Sequence, residues 1–242
     1  MRTQVLIIGG GPSGVLLAQL LHGQGIDTVV IERQTRAHVL GRIRAGVLEQ
    51  GMVSLLHQAG VGARMQKEGI PHDGTLISYD DEIFRIDFEK HCGTSVIVYG
   101  QTEVTRDLYD ARDAAGAQMF FEVSDVALSD LDTDSPQVKF LHDGSEVVIS
   151  CDFVAGCDGY HGVSRQTIPK SERREYEKVY PFGWLGVLSE TPPVSDEIIY
   201  ASSERGFALC SMRNPHLSRY YIQCATSDSP DNWSDDAFWH EL

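Results

Sequence analysis

The 242-residue sequence predicts a mixed α/β fold in two parts, a βαβ unit at the N-terminus and a second, mostly antiparallel sheet after it. Three observations predict it. The first thirty or so residues run from an apolar stretch through a helical stripe to a second apolar stretch. Glycines crowd the first junction, and after Pro169 the texture changes to strand-like segments rich in aromatics.

Val5-Leu6-Ile7-Ile8 is apolar throughout and stops at glycines, as a parallel strand buried on both faces does. From Pro12 to Gln24, Val15, Leu16, Ala18, Leu20 and Leu21 keep a helical stripe, and Gly23 and Gly25 punctuate its end. Thr28-Val29-Val30-Ile31 is a second buried strand and completes a right-handed βαβ crossover. Arg33 to Arg44 reads as a polar, Arg-rich loop. Val47, Leu48, Met52, Leu55 and Leu56 then recur at helical spacing and predict one long helix ending near Gly60. Residues 75–79, 83–88 and 95–99 alternate as strands of a small antiparallel sheet. Residues 101–115 are helical with Val104, Leu108 and Ala111 on one face, and strands follow at 118–122, 126–131, 138–142 and 146–154. Beyond Pro169 the strands fall around 182–189, 198–200, 207–212 and 220–225. The closing Phe238-Trp239-His240-Glu241-Leu242 looks like the opening of an amphipathic helix, so the chain is expected to be cut short.

With 42% hydrophobic and 23% charged residues, the composition is that of a globular chain with a real core rather than a disordered or fibrous one. Acidic residues outnumber basic ones 35 to 20, giving a net charge of -15 that disfavours nucleic acid and anionic membrane surfaces as partners. An anionic ligand must then be held by a local cluster of Arg. The five cysteines are odd in number and form no C-x-x-C pair, which argues against a disulfide framework or a zinc ribbon and for a reducing cytoplasm; no metal site is expected. The N-terminus passes straight into its first strand, so no cleavable leader is expected, and no apolar run approaches the ~20 residues of a membrane span.

Gly9-Gly10-Gly11-Pro12-Ser13-Gly14 fits G-x-G-x-x-G, placed after a strand and at the start of a helix. In that setting Gly9 permits the tight turn, Gly11 lets the backbone approach a pyrophosphate, and Gly14 lets helix and strand pack closely; Ser13 lies in the same turn. Glu32 ends the second strand, placed to accept hydrogen bonds from a ribose hydroxyl. An ordinary tight turn would need neither Glu32 nor the strand and helix in register. FAD and NAD share this fingerprint, so a second signal must choose between them.

That signal is Phe153-Val154-Ala155-Gly156-Cys157-Asp158-Gly159-Tyr160-His161-Gly162, an apolar strand ending in an Asp-Gly turn. As bare chemistry the dipeptide is more often just a turn. Here it resembles the Asp-Gly motif of class A flavoprotein monooxygenases. The resemblance narrows to the family of 4-hydroxybenzoate hydroxylases at Gly41-Arg42-Ile43-Arg44-Ala45-Gly46-Val47-Leu48-Glu49-Gln50-Gly51, at Tyr99-Gly100-Gln101-Thr102-Glu103-Val104-Thr105-Arg106-Asp107-Leu108, and at Tyr180-Pro181-Phe182-Gly183-Trp184-Leu185-Gly186. It covers essentially the whole chain.

The resemblance implies a fold and a chemistry. Residues 1–72 and 96–176 are expected to form a Rossmann-like FAD-binding domain, and residues 73–95 and 177–242 a substrate-binding sheet domain whose C-terminal part is missing. Asp158, Arg44 and Gln101 would contact FAD, while Arg33, Gln34, Arg42 and His161 would help hold NADPH. A guanidinium pairs well with phosphate oxygens, although an Arg-rich loop can also be a solvated surface. Arg36 and His38 lie where the family varies, so NADPH over NADH is an expectation. In the pocket, Arg213 and Ser211 would bind an aromatic carboxylate, Tyr221 would hydrogen-bond to it, and Tyr200 would touch the phenol oxygen. Arg219 would support the flavin, and His72 would relay the phenolic proton towards solvent. Taken alone, each tyrosine could be a half-buried strand aromatic and His72 a surface residue in a Pro-His-Asp turn. Arg213 beside Ser211 is harder to dismiss, because i and i+2 on a strand share a face.

The implied activity is hydroxylation of 4-hydroxybenzoate at the 3-position to 3,4-dihydroxybenzoate, with NADPH and O₂, by an enzyme that is a homodimer at full length. The family's later Gly-Asp segment is absent, so this chain is expected to bind FAD weakly and turn over poorly. Three rivals remain. A NAD-dependent dehydrogenase would not need the Asp-Gly segment, a flavin disulfide reductase would need a redox cysteine pair, and an inactive nucleotide-binding remnant would need no substrate pocket.

Overall fold

The computed structural model describes residues 1–80 and 82–242. In chain order, β1 (Val5–Ile8), α1 (Pro12–His22) and β2 (Thr28–Ile31) form the βαβ unit. Then come α2 (Arg36–Gly41), β3 (Val47–Leu48), α3 (Gln50–Gln58), α4 (Gly62–Glu68), β4 (Ile70–His72), β5 (Gly74–Tyr79) and β6 (Glu82–Asp87). Next are α5 (Phe88–Cys92), β7 (Val96–Val98), α6 (Gln101–Ala114), β8 (Met119–Phe120), β9 (Ser124–Ser129), β10 (Gln137–His142), β11 (Ser145–Ser150) and β12 (Phe153–Gly156). The chain ends with α7 (Val163–Thr167), β13 (Phe182–Ser189), β14 (Ile198–Ser203), β15 (Gly206–Asn214), β16 (Leu217–Ala225) and α8 (Asp235–Glu241). This is the mixed α/β architecture expected.

The chain divides into two compact units, the first comprising Met1–Ala45, Gly51–Glu68 and Gly100–Glu175, the second Gly46–Gln50, Gly69–Tyr99 and Tyr176–Leu242. The first unit is built on a parallel sheet of order β12-β1-β2-β8, with an antiparallel sheet β11-β10-β9 beside it. Leu6, Ile8, Val29 and Ile31 pack with Val138, Phe140 and Ile149 in one core, each at most 4% exposed. Burial of β1 and β2 on both faces is why their sequences are apolar without alternation. The stretch 146–154 is two strands rather than the one expected. After Ser150 the backbone N–H groups of Asp152 and Phe153 both donate to Gln4 O, at 2.9 and 3.0 Å, which moves the chain from the antiparallel sheet to the parallel one.

The second unit holds a six-stranded sheet of order β13-β16-β15-β14-β5-β6, antiparallel except for β14 against β5, and a three-stranded sheet β3-β7-β4. One face of the large sheet packs Tyr220 and Ile222 against Phe238 of α8.

Three further local expectations are corrected. The Arg-rich loop contains the short helix α2, capped by Thr35, whose Oγ1 accepts from His38 N at 3.0 Å. The long helix does not start at Val47, because Val47 and Leu48 pair with Val98 and Ile97; α3 begins at Gln50, stops before Gly60 at φ +75°, and α4 follows. The segment at 95–99 does not join 75–79 and 83–88 in one sheet, since β7 lies between β3 and β4 while β5 pairs with β6. Among the described residues no helix is long and apolar enough to cross a membrane.

Candidate functional site

In the first unit the turn between β1 and α1 opens a cavity of about 820 Å³, the size range of small-molecule and cofactor sites. Gly9 adopts φ +113°, and a Cβ there would lie 2.4 Å from Cys157 O, so only glycine makes this turn. A Cβ on Gly14 would sit 1.9 Å from Gly9 O, which brings the start of α1 directly against the turn. Gly11 is the opposite case: a Cβ there meets nothing within 4 Å, because the residue faces the cavity. Gly11 also caps α1 without a side-chain hydrogen bond, leaving the first N–H groups of the helix for an acceptor such as a pyrophosphate. Ser13 lines the same space.

Glu32 stands on the cavity wall, its Oε2 accepting from Gly10 N at 2.7 Å and its Oε1 from Gln34 N at 2.8 Å. Both oxygens are fixed by backbone donors and keep lone pairs for a hydroxyl. Arg33, Gln34, Arg42, Arg44 and Gln101 line the cavity as well, and so do Asp158 and His161 from the far side. Asp158 Oδ2 accepts from Ser164 N at 3.0 Å, and its carboxyl fills the place a Cβ on Gly162 would take. The His161 ring stands edge-on to Tyr160, centroids 5.0 Å apart, and Arg165 lies 3.9 Å above the other ring. The donor set and the space around Gly11 therefore fit the ADP part of FAD.

Two residues that sequence reasoning missed hold this cradle. Tyr109 on α6 donates to Gly10 O at 2.6 Å, and burial raises its pKa so that it keeps the proton it donates. Arg112, one helical turn on and 1% exposed, donates to Ala18 O on α1 and to Thr28 O and Oγ1 on β2. The signal was an arginine continuing the Thr105, Leu108, Tyr109 stripe of α6, where a solvent-facing charge has no place. Tyr109 also carries Arg36 over its ring at 4.8 Å, and Arg36 pairs with Asp113 at 2.6 Å.

The second unit gathers the remaining candidates on one sheet face. Tyr200 lies opposite Leu209, Leu209 opposite Tyr221, and Ser211 opposite Arg219. Directly opposed residues share a face, so Tyr200, Ser211, Arg219 and Tyr221 lie together. Arg213 reaches the group by a different route from simple alternation. The ladder slips between Met212 and Asn214, leaving Arg213 as the extra residue of a β-bulge, a device that re-aims a side chain. Its charge acts on Arg219, whose pKa burial and Arg213 together bring down to about 10; burial lowers that of Arg213 too. Two guanidiniums that repel each other favour an anion between them. The Arg219 guanidinium lies 4.4 Å from the centre of the Tyr221 ring. That ring in turn covers Gly186, where a Cβ would come within 2.8 Å of Cε1. Ser211 Oγ donates to Arg219 O at 3.2 Å and retains lone pairs but no second proton.

His72 is not the surface residue its Pro-His-Asp context allows. It is 1% exposed on β4, and neither ring nitrogen has a hydrogen-bond partner. Burial lowers its pKa, against the opposing pull of Glu197, Asp196 and Asp73. Among the described residues no group of three or more His, Cys, Asp or Glu is placed to hold a metal.

A glycine turn, an open helix start and an acidic strand tip define a protein of the dinucleotide-binding class. More narrowly, residues 2–242 match the family described as FAD binding domain, and the chain belongs to it. It is similar to p-hydroxybenzoate hydroxylase of Acinetobacter baylyi, 53% identical over 243 residues, covering 100% of this chain and 60% of that protein. Pentachlorophenol 4-monooxygenase of Sphingobium chlorophenolicum is 26% identical over 182 residues, covering 72% of this chain and 33% of that protein. In fold the chain matches p-nitrophenol 4-monooxygenase from Pseudomonas putida at a TM-score of 0.82 and 16% identity, covering 96% of this chain and 60% of that one. It also matches a probable FAD-dependent monooxygenase from Pseudomonas aeruginosa at 0.79 and 22% identity, covering 93% and 61%. The chain thus spans 60% of the first of these relatives and a third of the second.

Proposed function

We propose that this chain holds FAD in its first unit and is part of an aromatic hydroxylase that converts 4-hydroxybenzoate to 3,4-dihydroxybenzoate with NADPH and O₂. The observation that carries the reading is the sheet face of Tyr200, Ser211, Arg219 and Tyr221 with the charge of Arg213 acting on Arg219, in a chain 53% identical to a p-hydroxybenzoate hydroxylase. Bound FAD would supply the redox chemistry, taking electrons from NADPH and activating O₂.

The chain's own residues would bind and orient. Glu32 would accept from the adenosine ribose, and the N–H groups at the start of α1 would face the pyrophosphate. Arg44 and Gln101 would hold the flavin side, with Asp158 near it, while Arg33, Gln34, Arg42 and His161 would serve NADPH. Arg213 would bind the aromatic carboxylate with Ser211 and Tyr221 beside it, and Arg219 would support the flavin. Tyr200 would take a hydrogen bond from the phenol, making the ring more electron-rich, and His72 would hold the proton given up. The compartment we assign is the cytoplasm, and the assembly a homodimer of the full-length protein.

The test is product analysis with 4-hydroxybenzoate, NADPH and added FAD. Formation of 3,4-dihydroxybenzoate supports the reading. Flavin binding without any product would leave a binding fragment, and absence of flavin binding would sink the cofactor assignment itself. Arg213→Ala should raise KM at least tenfold, whereas Tyr200→Phe should slow hydroxylation and largely keep binding. Equal rates with NADH and NADPH would remove the coenzyme preference.

A further inference from the structure

A buried imidazole with no partner for either nitrogen is costly to protonate, yet a proton-holding role requires His72 to be protonated in passing. The strand that follows His72 is built around a charge that bears on this. A Cβ on Gly74, two residues from His72, would lie 2.6 Å from the Arg85 guanidinium carbon and 2.6 Å from the backbone Ile86 O; the side chain could move aside but the backbone could not, so glycine lets Arg85 sit where it does. Arg85 grips Glu197 at two points, Nε to Oε2 at 2.7 Å and Nη2 to Oε1 at 2.6 Å, and pairs through Nη1 with Asp87 at 3.0 Å. Glu197 is also fixed through its own chain: the next residue, Ile198, is the register partner of Thr75, and Thr75 Oγ1 donates to Ile198 O at 2.9 Å. The residues that follow His72 are thus laced to Glu197 by one clamp.

We propose that Glu197, held in place by Arg85, is the counter-charge that lets the buried His72 hold a proton, with Arg85 and Gly74 as positioning residues. The anions acting on His72 are Glu197 first, then Asp196 and Asp73. The hydrogen bond from Arg85 keeps the Glu197 carboxyl below its ordinary range, so it stays ionised and attracts the imidazolium instead of taking its proton. The proton enters on one ring nitrogen and leaves to water, with Glu197 unchanged. The catalytic significance rests on the hydroxylase reading; the electrostatic claim does not.

The test is an NMR titration of ring nitrogens in the ¹⁵N-histidine-labelled full chain, without substrate, with the His72 signal assigned by its loss in His72→Asn. Glu197→Gln should lower the His72 midpoint by about 0.5 to 1 pH unit, the order expected for removing one nearby charge in an intermediate dielectric. Asp196→Asn should lower it less. Arg85→Lys, which keeps the cation but loses the two-point grip, should give a smaller fall in the same direction. A midpoint unmoved in folded Glu197→Gln, or moved no further than in Asp196→Asn, overturns the proposal. Where wild-type protein forms product, the acid limb of its pH profile should shift with the same sign. Product without that titration shift overturns the counter-charge alone, and the titration shift without product sustains it while the hydroxylase reading fails.

Discussion

Gly11 and Gly14 are three residues apart in the first turn, yet a methyl group added to each meets opposite surroundings. At Gly14 it would lie 1.9 Å from Gly9 O, a clash that backbone must absorb, so Gly14→Ala should cost ~2–4 kcal/mol in denaturant unfolding and abolish flavin binding. At Gly11 it meets no atom within 4 Å, so Gly11→Ala should keep the melting temperature of the free protein and weaken FAD at least tenfold, read by flavin fluorescence. Unchanged FAD affinity in Gly11→Ala would mean the pyrophosphate lies elsewhere. His72 carries a prediction in pH. Burial holds its folded pKa below 6.5, so between that value and 6.5 the unfolded chain binds the extra proton. Its contribution to stability is full above 6.5, falls as pH drops towards the folded midpoint, and levels off beneath it. His72→Gln should flatten that part of the stability curve, and an identical slope in the variant would show that His72 titrates as it does unfolded.

At the scale of elements, α6 is the brace of the cradle. Tyr109→Phe would leave Gly10 O without its buried donor, which should cost ~1–2 kcal/mol in chemical denaturation and weaken FAD binding in step, since Gly10 sits between the two glycines of the turn. A loss of stability with unaltered FAD affinity would restrict Tyr109 to scaffolding. What was legible in the sequence was what is local. The run Val5–Ile8, the glycine turn and the stripe of α1 carry their own signals, and Glu32, at the end of the second strand, lies on the cavity wall; Asp158 lines that wall too, but its own Asp-Gly reads only as a turn and the family resemblance was needed to single it out. What was not legible depends on distant partners. Val47 and Leu48 have helical spacing but become a strand because Val98 and Ile97 are available fifty residues later. The bulge at Arg213 exists only against β16, so alternation placed the residue near its neighbours for an incomplete reason. His72 reads as a turn residue because nothing nearby in sequence reveals that β4 pairs with β7 and buries it.

At the scale of the whole molecule, the charge opposes the ligand that the cradle invites. The chain carries a net -15, and FAD is an anion, so approach from a distance is repelled while Arg33, Arg42 and Arg44 at the cavity attract at short range. Salt separates the two effects, because the Debye length shrinks from roughly 30 Å at 0.01 M to about 10 Å at 0.1 M. Over that range the long-range repulsion is screened first and contacts inside the cavity much less. The association rate of FAD, followed by stopped-flow flavin fluorescence, should therefore rise between 0.01 and 0.1 M salt, by roughly two- to fivefold on the scale of such steering effects. Arg44→Ala should act on the other side of the balance, speeding dissociation while leaving the salt dependence of association nearly as it was. An association rate that falls steadily with salt would mean that the local arginines, and not the acidic surface, govern the approach of the cofactor.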